Sequence, residues 1–197
     1  MVGSGQITVL LAKLYAEQVM SQTGNIPATV PGLMLGYLNE LNRDITLDRL
    51  PDRVVHQAAK LVAWQCLYPT YQPHLAQRSA LIQSLLAVGI DDADAVLEYL
   101  EHRLYAIQPI GTSQQQFRFC LDPLAEYLAA LYLVDIYGTD GSQWHSFLKT
   151  AATLPPAASG FLLALSDCYV TEFMPQATDI VPQELNRLAA LQPVATS

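Results

Sequence analysis

A chain of 197 residues with a net charge of −8, 51% hydrophobic and only 14% charged, can form one domain or two small ones around a sizeable core. Its ten lysines and arginines stand singly, so no cluster exists to neutralise phosphates, and the composition speaks against DNA or RNA as a direct ligand. Isolated domains average about 25% charged residues; a chain this poor in charge suits a module that packs against neighbouring domains or subunits.

Residues 1–20, MVGSGQITVLLAKLYAEQVM, show no basic leader, and Lys13 and Glu17 interrupt their apolar run. No uncharged stretch reaches the roughly 20 residues needed to cross a bilayer, so a cytoplasmic protein without membrane association is expected. Leu10, Leu11, Leu14, Tyr15 and Val19 are spaced for a helix over 8–22. A second helix is expected over 30–43, with Pro31 in its first turn and Leu33, Met34, Tyr37, Leu38 and Leu41 on one side. Residues 44–53 alternate acids and arginines around Pro51, as a connector does.

Asp52 is the expected N-cap of a third helix with the stripe Val54, Val55, Ala58, Ala59, Leu61, Val62, Trp64 and Leu67, ended by Pro69 and Pro73. A fourth helix over 74–88 is stopped by Gly89. Asp91 is read as the cap of a fifth, with Asp92 and Asp94 in the first turn and Val96, Leu97 and Leu100 in the core. The period then changes: residues 104–111 and 116–121 flank a polar four-residue loop, a hairpin pattern in which Pro109 restricts the first run to an edge or a short strand. Helix, helix, helix, strand, turn, strand is the winged-helix arrangement. Asp122-Pro123 opens a helix to Tyr137 that is apolar on nearly every face and therefore belongs inside the fold. After the break at 138–141, helices are expected over 142–152, 157–172 and 182–191. The chain thus reads as a mostly α helical array with a winged-helix-like module and one short hairpin. It divides into an N-terminal helical pair (1–48), the winged-helix-like module (49–137) and C-terminal helices (138–197).

Chemistry-bearing patterns are sparse. None of Lys13, Lys60 or Lys149 sits in a GxxxxGK[ST] loop, the serines lack a GxSxG setting, and His56, His74, His102 and His145 form no metal-ligand spacing. Cys66, Cys120 and Cys168, odd in number and widely spaced in apolar surroundings, read as reduced core thiols. The carboxylate of Asp122 beside Cys120 disfavours a thiolate there. Five acids between Asp91 and Glu101 read as a solvated helix face, with an acidic docking face for a basic partner as the functional alternative; Tyr99 and Tyr105 lie beside it. Trp64 and Trp144 stand in apolar stripes, where core packing is the default for both; of the two, Trp144, near the 138–141 break, is the one read as an interface anchor.

The segment 117–133, FRFCLDPLAEYLAALYL, resembles the C-terminal signature of bacterial NACHT-type ATPases of the STAND class, in which an F-x-F strand runs into a helix of the type S-F-Q-E-Y-L-A-A. Phe117 and Phe119 match the strand, and Glu126, Tyr127, Leu128, Ala129 and Ala130 the helix, whose large apolar position Leu124 takes; Asp122 stands at the junction. VLLAKLYAEQV and VPGLMLGYLNELNR resemble the helices after the ATPase core, so the similarity spans roughly residues 8–170. It implies a non-catalytic regulatory module that follows a nucleotide-binding domain and relays its state. ATP or ADP would belong to that upstream domain, leaving no cofactor, metal or catalytic residue in this chain. Many members carry a His just before this helix, where this sequence has Leu121, and a Ser or Thr where it has Pro123. No nucleotide-sensing role passes to either residue. The implied partners are the ATPase domain or sister subunits, including a homo-oligomer, met through Leu10, Leu14, Tyr15 and the Trp144 region. The alternatives are a DNA-binding winged-helix regulator, a stand-alone adaptor between proteins, or an enzyme whose site combines Asp122, Glu126 and a histidine.

Overall fold

Thr29 opens the first helix by accepting the Gly32 N–H on its hydroxyl at 3.3 Å, and Arg43 stands in the last turn, opposite the negative end of the dipole. This is the computed structural model of the chain, and it describes residues 28–112, 114–174 and 179–191. The helix expected over 8–22, with Leu10, Leu14 and Tyr15, lies outside the described residues. Helix α1 (Val30–Arg43) is followed by α2 (Asp52–Gln65), β1 (Ala76–Gln77), α3 (Arg78–Ala87), α4 (Ala93–His102), β2 (Ile107–Ile110) and β3 (Gln116–Phe119). Helix α5 (Asp122–Tyr137), α6 (Gly141–Ala151), a 3-10 turn (Pro156–Ala158), α7 (Ser159–Phe173) and α8 (Ile180–Leu191) complete the order.

The protein is mostly helical, with a small antiparallel sheet in the order β1-β3-β2. Ala76 pairs with Phe117 on one side of β3, and Ile107 with Phe119 on the other. Pro109 falls on β2, an edge strand, as its missing N–H requires. The succession α2-β1-α3-α4-β2-β3 is a winged-helix order, with one correction: the expected fourth helix begins at Arg78, and two residues ahead of it form β1. Ala76-Gln77 has no strand pattern of its own; pairing with β3 imposes its conformation.

Helix α3 ends where expected. Gly89 (φ +85°) donates to Leu86 O at 3.0 Å, and Ile90 donates to Leu85 O at 3.1 Å, the two bonds of a Schellman motif. The expected aspartate caps are not formed. Helix α2 begins at Asp52 itself, behind Pro51, and the cap position of α4 falls to Asp92 in place of Asp91, with no side-chain cap bond. Asp140 does cap α6, accepting the Ser142 and Gln143 N–H groups at 2.9 and 3.4 Å; the Ser142 hydroxyl and the Gln143 amide, which donate to it at 2.6 and 3.1 Å, and then those N–H groups hold its carboxyl at about 2.

Asp52 instead joins a polar network centred on one buried residue. Asn42, fully buried on α1, donates to Leu50 O (2.9 Å) and Asp52 Oδ1 (2.5 Å) and accepts the Tyr99 hydroxyl of α4 (2.5 Å). The Leu50 N–H donates back to that hydroxyl at 3.3 Å. The Asn42 bond, and then Arg49, hold the Asp52 carboxyl below the usual carboxylate range. One asparagine thus ties α1, its connector and α4 together.

Helix α5 lies inside, as its apolar faces demand, between α2 and α7. One hydrophobic core runs from Met34 on α1 to Ala189 on α8, shared by all three units of the sequence reading. Aromatic rings join its halves: Trp64 of α2 lies 5.8 Å from Tyr132 of α5, and Tyr137 of α5 meets Trp144 of α6 at 5.2 Å. Trp144 also meets Tyr169 of α7 edge to face at 4.9 Å.

Candidate functional site

The junction of β3 and α5 is built as its alternation predicts. Phe117 and Phe119 turn into the core, and Arg118 between them faces solvent. The Cys120 N–H donates to Ala106 O at 3.0 Å, and Leu121, half-buried, joins the core beneath. Asp122 is the first residue of α5; Leu121 stands at the cap position, so the expected Asp122 cap is corrected by one residue. The Asp122 carboxylate is exposed at the positive end of the helix dipole.

One turn on, Glu126 is half-buried against α7. Its carboxylate rests on Gly160, in the first turn of α7, so closely that a Cβ there would lie 2.6 Å from Oε2. Burial, and then the nearby Asp122 charge, push the Glu126 carboxyl up to about 7. Tyr127 donates its hydroxyl to Asp167 Oδ2 on α7 at 2.6 Å, and the Cys168 thiol contacts Tyr127 O at 3.8 Å. Burial pushes the Tyr127 hydroxyl well up, with Asp167 adding to it. The matched pair Glu126-Tyr127 therefore clamps α7 onto α5. Gly160→Ala should displace the Glu126 carboxylate, the far end of a flexible side chain, at a cost below about 1 kcal/mol. Glu126→Ala in the Gly160→Ala background should recover much of that loss; chemical denaturation of the two single variants and the double variant checks it.

Asp122 and His74 line one small cavity of about 240 Å³, with Cys66, Arg118, Phe119 and Ala125, at the edge of β3. Glu126 is not among its lining residues, so the enzyme reading loses one member of its trio. Burial pushes the Cys66 thiol up to about 12, and the Cys120 and Cys168 thiols up as well, which leaves none of the three poised as a thiolate. All three are free, with Cys66 and Cys168 buried and Cys120 half-buried. The rise at Cys120 comes from burial; the neighbouring Asp122 charge is not its cause.

Farther along α5, a groove of about 660 Å³ runs against α2, with Arg53, His56 and Lys60 on one wall and Tyr132, Asp135 and Ile136 on the other. Lys60 Nζ meets Asp135 Oδ2 across it at 2.8 Å. His56 shares a hydrogen bond with Asn39 Oδ1 at 2.7 Å, and burial, then Lys60, lower its pKa. Sequence reading passed over this groove, since its walls come from segments about 75 residues apart; the i, i+3, i+7 spacing of Arg53, His56 and Lys60 was its one visible trace.

Two expectations for the surface change. Trp144 is 2% exposed, and its indole N–H donates to Gly138 O at 2.9 Å, so it is a core side chain and offers no anchor to a partner. Of the acids from Asp91 to Glu101, four are exposed, but Glu101 is buried, as is Tyr99, which is spent on Asn42. Arg78 of α3 pairs with Asp94 (3.0 Å) and Glu98 (3.5 Å), and Tyr105 stands 73% exposed beyond the helix. Among the described residues no group of His, Cys, Asp and Glu is placed to hold a metal ion, and no helix is long and apolar enough to cross a membrane. Comparison with protein-family models, curated proteins and solved structures finds no match to this chain.

Proposed function

We propose that the chain is a non-catalytic regulatory module of a NACHT/STAND-type ATPase, which packs on the nucleotide-binding domain and relays its state. The observation that carries this reading is the junction: a wing strand with Phe117 and Phe119 inward runs directly into α5, whose Glu126-Tyr127 pair clamps the trailing helix α7. In this role the module contributes differential contacts in two nucleotide states, and no bond-making chemistry.

Helix α4 favours a protein partner over the DNA-binding alternative. It occupies the place of the recognition helix, which in DNA readers enters the major groove. Here Asp94 and Glu98 face outward, and Asp91 and Asp92 precede them. Phosphates would meet like charge.

The test is binding of the whole chain to a NACHT-type nucleotide-binding domain loaded with ADP or with ATP. An affinity difference of about 5- to 150-fold between the two states is expected, the usual range of allosteric coupling, together with no retardation of duplex DNA even at low salt. Nucleotide-independent binding would make the chain an adaptor. Failure to bind in either state, or tight salt-sensitive DNA binding, would overturn the proposal.

A further inference from the structure

The α2–α5 groove gathers two of the ten cations of an acidic chain. In a chain of net charge −8, the cations Arg53 and Lys60 stand along one face of α2 against one carboxylate, Asp135, with His56, its pKa lowered by burial, between them. Lys60 is pre-positioned by Asp135, with its side chain only 16% exposed. Arg53 is exposed and makes no ion pair among the described residues, so its guanidinium is unspent. At the rim stand two branched apolar side chains that the fold leaves open, Val88 beyond α3 (38% exposed) and Ile136 on α5 (48% exposed). Two cations on one wall with apolar groups at the edge form a complement to one kind of surface: a helix with carboxylates beside an apolar stripe. Arg53 and Lys60 are seven residues apart, about 10 Å along the helix axis, a span that carboxylates seven residues apart on a helix laid along α2 would match.

We infer that this groove docks an acidic amphipathic helix of a partner protein, an inference that rests on reading the chain as an interaction module. The partner's carboxylates pair with Arg53 and compete with Asp135 for Lys60, while its apolar side chains cover Val88 and Ile136. The acidic face near α4 lies outside the groove and takes no part.

The probe is a labelled synthetic helix of about 18 residues, with Leu on one face and Glu residues seven apart beside it, followed by fluorescence anisotropy against the whole chain. The same helix with Lys for Glu is the control. The Glu helix should bind at least about tenfold more tightly than the Lys helix, and more weakly as salt rises. Arg53→Glu, at an exposed position, should abolish the preference, and Lys60→Gln should weaken it; circular dichroism verifies that both variants fold. Equal binding of the two helices, or an unchanged preference in Arg53→Glu, would overturn the inference. So would salt-sensitive self-association of the chain that Arg53→Glu abolishes, because a second copy would then be the occupant. No ATPase domain enters this assay, so its outcome is separate from that of the nucleotide-dependent binding test.

Discussion

Replacing Asn42 with alanine is expected to lower the unfolding free energy by about 2 kcal/mol, the cost of removing a fully buried side chain and leaving the buried Tyr99 hydroxyl without its acceptor. The Leu50 carbonyl, the Asp52 carboxylate and the Tyr99 hydroxyl each lose their bond to Asn42. The Tyr99 hydroxyl is the buried one of the three; the Asp52 carboxylate is 41% exposed and keeps its bond to Arg49 at 2.8 Å. Tyr99→Phe removes only the hydroxyl and should cost about 1–2 kcal/mol. Because both changes cut the same network, the double variant should lose clearly less than the sum. Urea denaturation at neutral pH decides the matter. Additive losses, or a loss below about 1 kcal/mol for Asn42→Ala, would show that the network does not hold α1 and its connector to α4.

The second large effect is a pH dependence centred on Glu126. Its carboxyl titrates at about 7 in the folded protein against 4.5 ordinarily, chiefly because burial disfavours the charge and secondarily because of Asp122. The folded state therefore holds this proton more tightly than the unfolded state. The associated stability is fully present below about pH 4.5 and is lost as pH rises through 7, to a total of about 3 kcal/mol. Glu126→Gln removes this dependence, so the variant should gain on the parent between pH 5 and pH 8. Denaturation midpoints at those two values provide the measurement. Parallel pH profiles for the two proteins would mean that Glu126 is solvated against α7.

Local patterns were legible in the sequence wherever a single element decides its own structure. The stripe Leu33, Met34, Leu38 and the proline at position 31 placed α1 at its observed bounds. Gly89 stopped α3 for the reason given by its positive φ. The apolar circumference of α5 announced a central helix, and the alternation at Phe117 and Phe119 announced the inward face of β3. What remained illegible depends on partners far along the chain. Gln77 becomes strand only because Gln116 lies beside it. Asp52 looked like a cap because the side chain that claims it, Asn42, belongs to the preceding helix. Trp144 looked available for a partner because Tyr169, which covers it, is 25 residues further on. The clamp at Gly160 was hidden for the same reason: a glycine in an apolar helix carries no mark of the carboxylate it makes room for.

The unbroken core has a mechanical meaning for the proposed relay. With α5 wedged between α2 and α7 and aromatic rings bridging the halves, the described fold offers no internal hinge between wing and trailing helices. A signal arriving at one end would turn the whole body like a key in a lock. The moving parts of such a switch would then lie at its outer surfaces, where a rotation of the entire piece exchanges one set of neighbours for another.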